Sequence, residues 1–251
     1  MIRSCIAVSY LALFGLLGGA ITRLNARAVQ GDPDALYRDR EQPASALAAE
    51  RIWSARLAAN PRDVEAAWKL ARTRYWLGTN GPAADAEKKR VLERGIDAGR
   101  AAAAAAPDSP AGHFWIAANM GALADAHGLR QGIRYRGPIR EALETARRLD
   151  PSYLHGSPDR ALGRWYYKVP RLFGGDLRKS EQHLRKALTY KPDSVISLLF
   201  LAETLIALDR RDEARASLDA AIAATPDPEW APEDRRFQAD ARKLRATLTA
   251  R

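Results

Sequence analysis

The chain has 251 residues, 40 basic and 30 acidic, with a formal net charge of +10 and a single cysteine. One thiol forms no internal disulfide and no cysteine metal cluster, which excludes disulfide-stapled and zinc-finger classes. Six valines, set against long alanine tracts and 32 arginines, leave little material for a sheet and favour helices throughout.

Residues 1–28 have the pattern of a targeting segment. Arg3 gives a basic start, the run from Cys5 to Ile21 is apolar, and Ala26-Arg27-Ala28 is a small-x-small cleavage site. That run has 17 residues, short of the ~20 needed to span a bilayer. Arg23 and Arg27 follow it directly, as they do in a retained anchor. A cleaved signal, an inner-membrane anchor formed by residues 5–21 and a buried N-terminal helix therefore all stay open. The first two place the domain in the periplasm or elsewhere outside the cytoplasm. Residues 29–43, with Gly31-Asp32-Pro33 and Gln42-Pro43, are expected to be a linker or N-terminal cap, with helices starting near Ala44.

From there the markers recur. Asn60-Pro61, then Asp63 and Glu65, open a helix carrying Leu70-Ala71. Gly112 to Ala117 lies in another. Ile139, Leu143, Ala146 and Pro151 form a second-helix pattern that returns as Ser180, Leu184, Ala187 and Pro192, and again as Ala214, Leu218, Ala221 and Pro226. Between Pro192 and Pro226 the unit is 34 residues long, with Leu201-Ala202 and Leu205 on its first helix. This is the layout of a tetratricopeptide unit, a helix pair that buries its apolar faces only by stacking on similar pairs. The marker prolines lie 46, 44, 41 and 34 residues apart, so the units are irregular. The predicted fold is all-α: a solenoid over residues 44–251, of roughly 10 to 12 helices. Trp230-Ala231-Pro232-Glu233-Asp234 opens a polar last helix, expected to cap the solenoid.

The first helix of each pair lines the concave face of such a solenoid. That puts Trp68, Arg72, Tyr75 and Trp76 in the groove from one unit, and Arg160, Arg164, Tyr167 and Lys168 from another. Arginine forks receive carboxylates in bidentate fashion and the rings form apolar walls, so the groove suits a hydrophobic or anionic small molecule or an acidic segment of a partner. The same residues equally fit inter-helix packing and a solvated face. The segment from Gly128 to Gly137, with Arg130, Arg134, Tyr135 and Arg136, is expected to be a charged loop. Gly174-Gly175-Asp176 resembles a hairpin signature of cyclic-dinucleotide synthases, but that hairpin belongs to a sheet. A tight turn with Asp176 capping the next helix is expected instead. His113, His127, His155 and His183 have no metal-ligand spacing, and there is no phosphate loop or nucleophile context. No metal, cofactor or catalytic residue is predicted, and the scattered basic residues do not form a nucleic-acid footprint.

Several of these strings occur together in a known family. They are Asn60-Pro61, Ala66 to Arg72, Gly112-His113-Phe114-Trp115, Leu149-Asp150-Pro151, Gly156-Ser157-Pro158, Arg160 to Gly163, Val169-Pro170, Gly174 to Leu177 and Leu201-Ala202-Glu203. Across about residues 35 to 248 the chain resembles the T component of tripartite ATP-independent periplasmic (TRAP) transporters. The resemblance implies an exported helical solenoid without catalytic residues, oligomeric in some members, which docks a periplasmic solute-binding protein and passes a ligand. Members are often lipoproteins; this chain has no lipid-acceptor cysteine after its apolar run. An envelope scaffold that holds other proteins together and has no ligand of its own is the alternative.

Overall fold

The computed structural model describes residues 31–126 and 128–248; the expected targeting segment and His127 lie outside them. The described residues contain eleven α-helices, a 3-10 turn and no strand. In chain order the helices are α1 (Pro33–Arg38), α2 (Pro43–Ala59), α3 (Val64–Asn80), α4 (Asp85–Ala105), α5 (Pro110–Ala126) and α6 (Leu129–Leu149). They continue as α7 (Tyr153–Lys168), α8 (Leu177–Tyr190), α9 (Val195–Ala207), α10 (Arg211–Ala223) and α11 (Ala231–Thr247), with the 3-10 turn Arg171–Phe173 before α8.

Short polar side chains set several of the starts. Asp63 accepts from the Ala66 N–H at 2.9 Å and caps α3, while Asn60 ends α2. Asp176 accepts from the N–H groups of Arg178 and Lys179 at 2.9 and 3.1 Å, as the turn reading of Gly174-Gly175-Asp176 expected. Each such cap satisfies orphan donors of the first turn and is worth about 1 kcal/mol. Two expectations about helix starts change. The chain is helical from Pro33, where Asp32 caps α1 and Tyr37 is buried, rather than from near Ala44. The expected loop from Gly128 to Gly137 is the beginning of α6, with Pro138 inside it.

Consecutive helices pack together, and alternate ones also touch: α3 meets α5, α5 meets α7, α7 meets α9, and α9 meets α11. These five form an inner layer, with α2, α4, α6, α8 and α10 outside it, as stacked helix pairs require. Between layers the packing is close. Asn119 of α5 is fully buried and donates to the carbonyls of Ala71 (3.1 Å) and Trp115 (2.8 Å). It fits because α4 has Gly95 there, where a Cβ would stand 2.1 Å from Asn119 Oδ1. One apolar cluster runs from Tyr37 to Tyr166, and a second from Leu184 to Leu248. The marker residues Leu201, Ala202, Leu205, Ala214, Leu218 and Ala221 are all in the second.

Near its start α7 is kinked by a left-handed turn through Leu154, His155 and Gly156, at φ 46, 59 and 76. For the two non-glycine residues that conformation costs about 1–3 kcal/mol each. Neighbours hold the turn in place. Leu154 packs against the first cluster, the Ser157 hydroxyl donates to the Leu154 carbonyl at 2.6 Å, and a Cβ on Gly156 would lie 2.6 Å from Tyr190 Cδ2.

Candidate functional site: the inner face and its closure

The C-terminal helix does more than cap the stack. Arg40, 1% exposed, donates from Nε to Glu233 Oε1 at 3.1 Å, from Nη2 to Glu233 Oε2, and from Nη2 to the Glu229 carbonyl at 2.8 Å. Arg72 lies 3.4 Å from both Asp34 and Glu229. Arg235 pairs with Glu41, Arg236 donates to the Asn80 side chain, and Trp230 packs against the first apolar cluster. The fifth inner helix and the segment before it thus reach back to the turn between α1 and α2 and to α3, and the superhelix closes on itself.

This closure decides where the predicted groove residues go. Arg72 is buried, its guanidinium 3.9 Å from the Tyr37 ring centroid and 5.0 Å from that of Trp68. Trp76 is buried and donates from Nε1 to the Arg40 carbonyl at 2.9 Å. Both are structural parts of the clasp. Trp68 and Tyr75 stay half-buried on the inner face. From Tyr75 a run of rings follows across α5 to α7: Tyr75 to Trp115 at 5.8 Å, Trp115 to Phe114 at 5.1 Å, and Phe114 to Tyr153 at 5.6 Å. Burial pushes the Tyr153 hydroxyl up to about 12 and raises Tyr75 as well. The Tyr153 hydroxyl faces the Trp115 indole N–H without meeting hydrogen-bond geometry, so both polar atoms are unpaired.

The three α7 cations separate. Arg164 pairs with Glu203 of α9, and its guanidinium lies 4.2 Å from the Phe200 ring centroid and 5.1 Å from that of Tyr167. Lys168 is exposed, 3.7 Å from Asp125. Among the described residues Arg160 has no paired carboxylate; it donates to the Ser157 hydroxyl. Desolvation in the recess lowers it to about 10, opposed by the fields of Tyr75 and Asp234. None of its nitrogens is sealed off from solvent without a partner, so its remaining donors reach solvent. Arg160 and Tyr75 influence each other electrostatically, whereas Arg164 is held by its acid. The pattern missed Arg40, Glu229 and Glu233, and it missed the rings of Phe114, Trp115 and Tyr153. Acids clustered between Asp227 and Asp234 in a basic chain were the one available signal for the clasp.

Arg134 and Tyr135, expected in a loop, line a cleft of about 370 Å³ with Glu93 and Met120. Among the described residues no group of His, Asp and Glu could hold a metal ion, and no helix is long and apolar enough to cross a membrane.

Comparison with known proteins agrees with this architecture. A family model described as Regulator of microtubule dynamics protein 1-3 matches residues 32–173, and a tetratricopeptide-repeat model matches residues 174–246. The join between them falls where the two apolar clusters separate. No curated protein matches. Among solved structures, TTC0263, a thermophilic tetratricopeptide protein of Thermus thermophilus, is similar with a TM-score of 0.63 and 24% identity. The match covers 87% of this chain and 98% of that one, and it supports the fold. MamA is similar at a TM-score of 0.49 and 17% identity, covering 84% of this chain and 99% of that one. The tetratricopeptide part of the sequence resemblance therefore holds, while the family model over the first two thirds of the solenoid is a different one from the TRAP component. With more than half of its residues matched by that model, the chain belongs to the family of regulator of microtubule dynamics proteins 1-3, completed by C-terminal tetratricopeptide repeats.

Proposed function

We propose that the chain is a protein-interaction scaffold whose inner recess receives an acidic segment of a partner, with Arg160 as the receiving cation. Scaffolding by helical repeats is the common use of the fold. The observation that carries the finer reading is Arg160, a desolvated cation whose one hydrogen-bond partner among the described residues is a neutral hydroxyl, within the field of Tyr75. Burying a charge without a counter-charge is unfavourable, and a carboxylate would relieve it. The matched family's name attributes regulation of microtubule dynamics to its members, and only partner binding is carried from it to this chain. Location outside the cytoplasm, on an anchor formed by residues 5–21, is part of the proposal and draws on the sequence pattern alone.

The test is a photo-crosslinking residue at Tyr75 of the full chain in its own cell. An adduct mapped to an acidic segment of one protein, lost in Arg160→Met and kept in Lys168→Met, is expected. An adduct indifferent to Arg160, or none at all, overturns the assignment.

A second reading, in which the chain is an accessory component of a TRAP-type transporter, draws on the ring-lined recess. There the partner is a periplasmic solute-binding protein, and a small hydrophobic carboxylate passes through. Quenching of Trp68 and Trp115 fluorescence by such carboxylates, lost in Arg160→Met, would favour it. No quenching up to millimolar ligand would remove it.

A further inference from the structure

Leu172 is 88% exposed and Phe173 42% exposed, at the tip of the connection between α7 and α8. The tip is tightly held. Phe173 N–H donates to the Pro170 carbonyl at 2.8 Å, Gly174 N–H to Arg171 at 3.1 Å, Gly175 N–H to Pro170 at 3.2 Å and Asp176 N–H to Tyr166 at 3.0 Å. Gly174 takes φ 102, and a Cβ on Gly175 would stand 1.6 Å from the Val169 carbonyl oxygen. The chain thus builds a rigid turn whose outermost side chains are a leucine and a phenylalanine. Ile133, on the adjoining α6, is 50% exposed one turn before Arg136, whose guanidinium lies 5.2 Å from the Phe173 ring centroid. Of the four large apolar side chains exposed among the described residues, three are in this region.

The charges around the tip have one sign. From Arg164 to Lys179 there are five basic residues and one acid, Asp176, which caps α8. From Gln131 to Arg140 there are three arginines and no acid. Arg164, Lys168 and Arg140 are near Glu203, Asp125 and Glu144 respectively. Among the described residues, Arg134, Arg136, Arg171, Arg178 and Lys179 have no ion-pair partner.

We propose that this tip docks on an anionic lipid bilayer, with Leu172 and Phe173 in the interfacial zone and Arg136 and Arg171 on the headgroups. Two apolar side chains on a convex tip bury far less than the ~1,000 Å² that a specific protein contact needs. A lipid interface needs no matching socket. It takes up single leucine and aromatic side chains, and each basic residue at an anionic surface strengthens the contact about fivefold. Arginine stems lie along the apolar zone while their heads stay among phosphates.

The experiment uses the full chain with Cys5→Ser and Leu172→Cys, leaving one thiol to carry an environment-sensitive fluorophore. A sister protein carries the label through Asp212→Cys, a site 95% exposed at its side chain on α10. With vesicles of phosphatidylglycerol and phosphatidylcholine, the label at position 172 is expected to shift to the blue and to be quenched by lipid-borne quenchers. The label at position 212 should stay in water, and pure phosphatidylcholine should give little response at either site. Arg136→Glu with Arg171→Glu should lower the inserted-to-free ratio at least tenfold without changing the melting temperature. A label at 172 that stays in water on anionic vesicles overturns the proposal. So does a blue shift that appears without lipid and grows with protein concentration, which would assign the tip to a contact between copies of the chain.

Discussion

Arg164 and Glu203, 39 residues apart, meet across neighbouring inner helices, and the Arg164 guanidinium completes the contact by lying over Phe200. Among the described residues, Arg160, one turn earlier on the same helix, is paired with no such acid.

Arg164→Glu therefore places two half-buried carboxylates side by side and removes a cation from Phe200. A loss of about 1–3 kcal/mol is expected, as for a broken partly buried pair, with crosslinking at Tyr75 retained. Thermal unfolding and the crosslink on one sample check both. An unchanged melting point with a lost crosslink would instead return Arg164 to the binding face.

The clasp gives a double-mutant test. Arg40→Met leaves Glu233 enclosed without its partner and should cost about 3–5 kcal/mol, whereas Arg40→Met with Glu233→Met should recover much of that. Urea unfolding measures both. Strictly additive losses would show that the two residues do not act as a pair.

Glu233 also sets a pH dependence. Burial holds its carboxyl above the ordinary glutamate value of 4.5, with Arg40 pulling the other way. The folded protein then binds this proton more tightly than the unfolded chain. The resulting stability is complete below 4.5 and lost as pH rises through the raised value. Glu233→Gln removes this effect, so over the interval just above pH 4.5 the variant should lose less stability with rising pH than the parent. Parallel stability–pH curves would contradict the shift.

Gly95→Ala should cost about 1–3 kcal/mol, because the new methyl drives Asn119 off its two buried carbonyls. Added to Asn119→Ala it should cost much less than it does alone. Equal costs in the two backgrounds would mean that the helices part rather than the side chain moving.

What the sequence reveals here is what repeats or lies close by. Leu184, Leu218 and the prolines after them recur at helical spacing, and Asp176 caps its helix from two and three residues away. Six-residue α1 is too short to show a period, so it passes for a linker. Glu229 looks like a loop acid and Glu233 like an ordinary first-turn residue, because nothing local tells that their partners lie at 72 and 40. Arg160 and Arg164 have equal claims by spacing. Their difference comes from Glu203, on another helix, and from a left-handed turn that no periodicity predicts. Tyr75, Phe114, Trp115 and Tyr153 join into one wall only after three helices have stacked.

An open superhelix of repeats behaves as a spring: its pitch stretches cheaply, and its ends fray first. With Arg40, Arg72 and Arg235 tying the last helix and the segment before it to the α1–α2 turn and α3, this molecule is closer to a hoop. A hoop resists stretching and shares strain around its whole circumference. Damage at either terminus is then felt at the other, and a guest must enter through the rim or wait for the clasp to open.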